Sequence, residues 1–536
     1  MEGTPLDRTP LANPRGLLTG ARFLARVPVF LRRRFTLEEA RAIHAARLAE
    51  RESRWLDFVR RAVFGSSGGV LHRLFDHAGV SFGDLRGLVD REGLEGALQQ
   101  LFEAGIYITS DEFKGRIPLV RGSLSLELEP ASLRNPLAAF HVPARSGWSR
   151  SRAAPFLMDL EYIRACAVAC ALYLDAHGGS TWKKGTWETP GAGARFRLLK
   201  YSCFGDRPVA WFTQVDPTAG LDPVFRWSDR ALRLGGSLAG VRVPRPVLAS
   251  PEDPLPMARW ARQVLDSGGE PHWFSFASSV VRLATAAREA GIDLTGSHAS
   301  LAGEPVTKGR VDTIRSAGIE PLARYGTIEA GPIAYACRNP RAPDHMHIVR
   351  DLHALIQAGP GSASGLPEDA VLLTALHPAA PFSMLNFSMG DEAELDEDSC
   401  GCPLESLGWQ PRIKHVRSFE KLTAGGVTFD DARITRLLEE TLPERFGGGP
   451  TEYQLVEEES ARGEPILVLR VHPRLGPVPE DEILDTLLSG LGGESPIHRV
   501  MEQHLRAIAD VRIERSAPLI TRSSKIMHLH VRPEGD

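Results

Sequence analysis

Apolar residues recur every three or four positions through TLEEARAIHAARLAERESRWLDFVRRAVF (36–64), the spacing of one helix face. Thr36 precedes the run and Glu39 follows three residues later, the capping-box arrangement in which each side chain serves the other's backbone N–H. The basic stretch GLLTGARFLARVPVFLRRRF (16–35) has an apolar stripe that Pro28 is expected to interrupt. A terminal segment packed on the domain, with its arginines in water, accounts for it better than a helix lying on a membrane surface.

Between about 140 and 400, helical and strand-like runs alternate. SRAAPFLMDLEYIRACAVACALYLDAHG (151–178) predicts a long helix stopped at Gly178, and ASSVVRLATAAREAGIDL (277–294) another stopped near Gly291. DAVLLTAL (369–376) is a β run, and PFSMLNFSMGDEAEL reads as a strand leading to a turn at Gly390–Asp391. Such alternation marks a mixed α/β domain. After about 411 the pattern changes. RIKHVRSFEKLTAGGVTF (412–429) reads as a hairpin turning at Gly425–Gly426. DDARITRLLEETL, PEDEILDTLLSGLGG and SPIHRVMEQHLRAIA read as helices, and TEYQLVEEES, PILVLRVHP and DVRIER as strands. Together they predict a small α+β domain of about 120 residues.

Composition narrows the class. The 536 residues are 43% hydrophobic and 24% charged, as in a globular chain with room for several domains. Lys plus Arg is 63 against 67 Asp plus Glu, so the basic surplus that a nucleic-acid-gripping protein needs is missing. No apolar run approaches the ~20 residues of a membrane span, and the start has no secretory pattern, so a cytoplasmic location is expected. Six Cys in a chain of this length cannot form a disulfide scaffold. Lysine is confined to positions 114, 183, 184, 200, 308, 414, 421 and 525, so a lysine here has a raised chance of being chemically required.

Four strings carry candidate chemistry. YGTIEAG (325–331) offers a ring to lay against a planar ligand, a glycine for close backbone approach and, in Glu329, a carboxylate able to hold a divalent cation beside phosphates. Alone, it reads better as a glycine-containing turn with a solvated glutamate. LAGEPV (301–306) lies upstream. MGDEAEL (389–395) follows, with Asp391 suited to two ribose hydroxyls, and then come Arg417 and PLITRSSKIMHL (518–529) with Lys525.

In that order, these strings resemble the signature of the adenylate-forming (acyl-CoA synthetase) superfamily, in its phenylacetate-CoA ligase and CapK-like branch. The resemblance runs from about residue 60 to the C-terminus. It implies an α/β fold: a large multi-subdomain N-terminal adenylation domain (1–415) and a small α+β C-terminal lid domain (416–536) carrying the catalytic lysine. It further implies that Gly303, Glu304 and Pro305 line an adenine site, with Tyr325, Gly326 and Thr327 against the ring. Glu329 would hold Mg²⁺, Asp391 the ribose and Arg417 the ribose and phosphate near the hinge. Lys525 would bridge the α-phosphate and the substrate carboxylate, where charge builds as the acid attacks phosphorus. Read without the resemblance, Lys525 is a solvated tail lysine.

The phosphate loop departs from the family pattern. ARSGWSRSRAA (144–154) keeps Ser146, Gly147 and Ser149 as hydroxyl and N–H donors but lacks the closing lysine. Trp148 interrupts it, and Arg150 and Arg152 replace the charge. Ile328 stands where a hydroxyl usually precedes the glutamate, Val416 where a glycine precedes the hinge arginine, and Ser524 where a glycine precedes the lysine.

Cys337, His347 and the Cys400–Gly401–Cys402 string supply three thiols and an imidazole, the donor set of a closed tetrahedral Zn²⁺ site, with His345 as a competing ligand. Reduced thiols in a core are the plainer alternative, and relatives in the same branch resemble this chain in carrying these elements. Cys166 and Cys170, four apart among Ala, Val and Leu, read as core. HWFSF (272–276) falls where the family's acyl pocket begins, or is simply core. No Gly-x-Ser-x-Gly elbow or Gly-x₄-Gly-Lys loop is present.

These readings point to an AMP-forming ligase of a small carboxylic acid, of aryl or arylalkyl type by its branch. It would use ATP and Mg²⁺ and pass the acyl group to CoA or to an acyl or peptidyl carrier-protein thiol. Structural zinc and a homodimer are compatible with the sequence; nucleic acid and membrane partners are not expected. The alternative is a degenerate member that no longer uses ATP and moves an acyl group from acyl-CoA to a carrier protein, or serves as a non-catalytic partner.

Overall fold

The computed structural model describes residues 14–66, 68–113, 115, 117–139, 142–145, 155–188, 191–214, 223–362, 364–418, 423–424, 427–428, 431–459, 465–492, 510–520, 526 and 528–531. The helical start comprises α1 (Pro14–Arg32), α2 (Leu37–Ala49), α3 (Arg51–Val59), α4 (Val70–Ala78), α5 (Phe82–Glu103) and the single turn α6 (Ser110–Phe113). The capping box is present: Thr36 Oγ1 accepts the Glu39 N–H, and the Glu39 carboxylate accepts the Thr36 N–H. The expected 36–64 helix is instead divided at Glu50, which closes α2 and opens α3. Pro28 does not interrupt its segment. It lies inside α1, where Val27 is fully buried and packs with Pro28 onto Gly235, a position where a Cβ would collide with Val27.

Small hairpins follow, β1 (Leu119–Arg121) with β2 (Leu124–Leu126), and β3 (Val142–Arg145) with β4 (Pro155–Met158). The chain then alternates through α7 (Leu160–Ala176), β5 (Lys183–Glu188), α8 (Ala192–Tyr201), β6 (Ala210–Thr213), α9 (Pro223–Leu238), β7 (Val247–Leu248) and α10 (Leu255–Asp266). Next come β8 (Pro271–Phe276), α11 (Ala277–Glu289), β9 (Ser297–Ala302), α12 (Lys308–Arg315) and β10 (Ile319–Thr327). β7, β6, β5, β8, β9 and β10 form a parallel run in that order. Helices between parallel neighbours are the connection such a run requires.

The sheet continues antiparallel through β11 (Gly331–Ala336), β12 (Met346–Ile348), β16 (Arg412–Ser418), β15 (Phe387–Asp396), β14 (Ala370–Ala375) and β13 (His353–Gln357), giving twelve strands. The expected turn at Gly390–Asp391 is absent. β15 runs through both residues, because Gly390 takes a positive φ of 78° and the register against β16 shifts between Glu392 and Glu394. The chain leaves this sheet after Ser418.

β17 (Thr423–Ala424) pairs with β18 (Val427–Thr428); the Gly425–Gly426 turn expected between them lies outside the described residues. α13 (Asp431–Arg436), α14 (Leu442–Phe446) and α15 (Glu480–Gly492) accompany a second sheet. Its order is β21 (Asp510–Glu514), β20 (Pro465–Val471), β19 (Tyr453–Glu459), β22 (Leu529–Val531). This unit has its own core, including Leu438, Leu442, Leu455, Leu469, Ile483 and Leu487. The helix expected in SPIHRVMEQHLRAIA also lies outside the described residues. Among the described residues no helix is long and apolar enough to cross a membrane.

Candidate active site

The C-terminal ends of neighbouring parallel strands are where open α/β sheets place ligands. Here β9 ends into Gly303, Glu304 and Pro305, and β10 ends at Tyr325, Gly326 and Thr327. The β10–β11 register shifts between Tyr325 and Gly326, and a Cβ at 326 would run into the Gly331 carbonyl, so only glycine lets the two strands approach there. Thr327 Oγ1 accepts the Ala330 N–H at 3.1 Å, closing the turn that holds the buried Glu329. From β15, Asp391 reaches this strand end: Tyr325 donates its hydroxyl to Asp391 Oδ2 at 2.9 Å. Burial, together with the Asp391 carboxylate, pushes the Tyr325 phenol well above its ordinary range and keeps it a donor.

Glu304 and Arg417 have structural partners. The Glu304 carboxylate accepts the Ser278 N–H at 2.7 Å and the Ser278 hydroxyl at 2.8 Å, at the start of α11. It also accepts Arg310 Nη1 at 3.1 Å and the backbone N–H of Ile526 at 3.1 Å. The side chain is thereby committed to the contact with the terminal unit, and the Pro305 carbonyl likewise accepts Arg310 Nη1 at 2.9 Å. Arg417 lies 3.1 Å from Asp344, whose two carboxylate oxygens also accept the backbone N–H groups of His415 and Val416. Asp344 clamps the strand that leads out of the large sheet.

The terminal unit is tied down by a second buried ionic group. Glu439 lies 2.7 Å from Arg310 Nε and 2.6 Å from His528 Nε2, and also accepts the Thr307 hydroxyl. Burial alone would raise its pKa, but Arg310 and the hydrogen bonds from His528 and Thr307 hold Glu439 below the usual carboxylate range. Arg310, Glu439, His528, Ser278 and Asp344 were not singled out in the sequence. Each is an ordinary polar residue whose role arises only where distant segments meet.

Ser146, Gly147, Ser149 and Lys525 lie outside the described residues. What is described of the phosphate loop is its frame: β3 and β4 pair antiparallel up to Arg145 and Pro155.

Cys337, His347, Cys400 and Cys402 come together, with one ligand atom from each lying within 4.8 Å of the others. Cys337 follows β11, His347 lies on β12, and the two remaining cysteines sit between β15 and β16. His347 donates Nδ1–H to the Trp409 carbonyl at 2.7 Å, fixing the tautomer that turns Nε2 toward the sulfurs of Cys402 (3.2 Å) and Cys400 (3.5 Å). Glu405 accepts the N–H groups of Cys400 and Gly401 at 3.0 and 2.7 Å, shaping the loop. A hydrogen bond from Cys337 and the neighbouring His347 hold the Cys402 thiol far below its ordinary range, so the group presents a thiolate. His345 is not part of the group: its Nε2 lies 3.0 Å from Asp396, and its Nδ1 accepts the Arg341 N–H. Cys166 and Cys170 are buried in α7, as expected of core residues.

The fold, a large sheet with these strand ends followed by a small α+β unit, is shared with a solved CoA ligase. The structure aligns with 2-hydroxyisobutyryl-CoA ligase in its postadenylation state in complex with 2-HIB-AMP, at a TM-score of 0.54 and 14% identity, over 94% of this chain and 92% of that one. With the same ligase in complex with R3-HIB-AMP the TM-score is 0.50 and the identity 16%, over 94% and 92%. At these identities the likeness establishes a shared fold. No protein-family model matches the sequence, and no curated protein matches it.

Proposed function

We propose that this chain is an AMP-forming acid–thiol ligase. A carboxylate oxygen of the acid attacks the α-phosphorus of ATP, the bond to pyrophosphate breaks, and an acyl-adenylate forms. A thiol of CoA or of a carrier protein then attacks the acyl carbon, forming a thioester and releasing AMP. The observation that carries this reading is the Tyr325–Asp391 hydrogen bond, which joins the ring expected against adenine to the carboxylate expected on ribose at the ends of β9 and β10. Tyr325 and the backbone of 303–305 would hold the base, Asp391 the ribose hydroxyls, and Ser146, Gly147 and Ser149 the triphosphate. Lys525 would neutralise the charge that develops at the α-phosphate, and the domain from 416 to 536 would rotate to withdraw it before the thiol enters.

Glu329, buried in the turn after β10, would hold Mg²⁺, which supplies charge neutralisation on the phosphates. Cys337, His347, Cys400 and Cys402 fit Zn²⁺ by donor set, spacing and the Trp409-fixed imidazole, and the metal would lock the loop before β16. The aryl or arylalkyl acid of the phenylacetate-CoA ligase branch rests on the resemblance alone, with HWFSF (272–276) as the candidate acyl wall. The altered phosphate loop, with Trp148 and no lysine, favours a second reading in which acyl transfer from acyl-CoA to a carrier protein has replaced ATP chemistry.

ATP–pyrophosphate exchange with a panel of acids separates the two. Exchange that falls by orders of magnitude in Lys525→Ala, with the thermal transition unchanged, supports the ligase. Acyl transfer from CoA without any exchange would instead establish the acyltransferase.

A further inference from the structure

Among the described residues, the face of the sheet that packs on α7 and α8 carries more positive charge than it neutralises. Alternation along each strand turns Phe274 of β8, Ser300 of β9, Arg324 of β10 and Tyr335 of β11 to the same side, and Arg324 and Tyr335 are direct cross-strand partners. Lys200, on α8, is 1% exposed, and its Nζ lies 6.0 Å from the Tyr335 ring centre. Arg324 is 8% exposed, with its guanidinium carbon 5.9 Å from that ring and 5.4 Å from the ring of Phe274. A third cation, Arg197, stacks on Phe274 at 3.3 Å.

Arg197 is neutralised. Its Nε and Nη2 donate to Glu188 at 2.7 and 2.6 Å, and the same carboxylate accepts the Thr186 hydroxyl. Among the described residues neither Arg324 nor Lys200 has an ion-pair partner. Arg324 Nε and the Tyr335 hydroxyl have no hydrogen-bond partner. Contact with aromatic faces offsets only a small part of what it costs to take two cations out of water. Burial, with repulsion from Arg324 and Arg197, pushes the Lys200 ammonium down to about 8, so it remains mostly charged at neutral pH. Two buried cations without ion-pair partners among the described residues, beside two aromatic rings, have the chemistry to receive an anion attached to an apolar body. Arg324 immediately precedes Tyr325 near the C-terminal end of β10, so the layer lies on the face of the strand opposite the Tyr325 ring and one residue from it.

We infer that the acid activated by this chain is a diacid, whose second carboxylate is held between Lys200 and Arg324 while the first meets ATP. This rests on the ligase reading above and adds the substrate class. Arg324 supplies a planar fork and Lys200 a point charge, a combination that suits a carboxylate approached from two sides.

The test uses matched pairs differing only in the second carboxylate: 4-carboxyphenylacetate against 4-methylphenylacetate, glutarate against valerate, and succinate against butyrate. Each is offered to the full-length protein in thermal-shift measurements without ATP and in ATP–pyrophosphate exchange. At least one diacid is expected to stabilise the protein where its partner does not. The same diacid is expected to be preferred in exchange by on the order of 100-fold, the scale of a buried charge pair. Lys200→Met and Arg324→Met should each abolish the preference while raising the melting temperature of the ligand-free protein, a gain that a purely structural cation would not give. The wild-type pairs decide the matter even if a variant fails to fold. Monoacids bound and exchanged as well as diacids across the panel, or no diacid-dependent shift at all, would overturn the inference while leaving the ligase reading intact. Diacid-specific stabilisation without exchange from any acid would uphold the anion receptor and overturn the ligase reading instead.

Discussion

Two buried groups of charge lie on either side of β10, and they are built on opposite principles. Around Glu439 and Glu304 every charge has a partner: Arg310 meets both carboxylates, His528 and Thr307 complete one, and Ser278 and the Ile526 N–H complete the other. Around Lys200 and Arg324 the opposite holds, with Glu188 already consumed by Arg197. The first group joins elements distant in sequence and needs nothing further, so its role is mechanical. The second costs folding energy in the ligand-free state, and such a cost is tolerated where a ligand later offsets it.

The contrast can be broken most forcefully at Glu439. Glu439→Ala leaves His528 and Thr307 without their carboxylate and Arg310 with Glu304 alone in a buried interface, and removal of one partner from such a network costs about 3–5 kcal/mol. Urea unfolding monitored alongside protease sensitivity of residues beyond 418 should show the loss concentrated in the terminal unit. Cys402→Ser comes next: metal analysis should find stoichiometric zinc in the wild type and little in the variant, with a stability cost of several kcal/mol.

Lys200→Met sharpens the comparison in the other direction, stabilising the ligand-free protein by about 1–4 kcal/mol. Its pH signature is specific. The folded protein releases the Lys200 proton near 8, while the unfolded chain keeps it to 10.5, so the unfolded state binds more protons between those values. Wild-type stability therefore gains from this group as pH rises from 8 to 10.5. Lys184, also lowered to about 8 by burial, contributes in the same sense, so Lys200→Met should flatten the rise and not erase it. The smallest expected effect is that of Tyr325→Phe, which removes one hydrogen bond worth about 1 kcal/mol. Its stability loss should be slight, and ATP affinity in exchange assays is where it should register.

How much of this was legible in the sequence depended on how local the signal was. Thr36 and Glu39, or the α11 stop near Gly291, declare themselves within a few residues because caps and glycine turns are local chemistry. The Cys/His group was legible because four residues of two scarce ligand types, cysteine and histidine, occur in a metal-site pattern. Pro28 was misjudged because tertiary packing of Val27 on Gly235 outweighs the proline penalty, and Gly390 because a positive φ can sit within a bulged strand as readily as in a turn. The unpaired cations could not be read at all. Lys200 and Arg324 are separated by 123 intervening residues, and nothing in either neighbourhood marks them as sharing one layer.

Asp344 has a consequence of its own. It stands three positions before His347, in the same short connection that brings that imidazole to the sulfurs, yet its carboxylate grips His415, Val416 and Arg417 on the strand leading to the last domain. The thiol-rich loop and the strand that leads out of the large sheet therefore share a single bearing. A chelator stripping the cysteines should loosen the grip of Asp344 on residues 415–417, and proteolysis just beyond 418 should register the damage before global unfolding does.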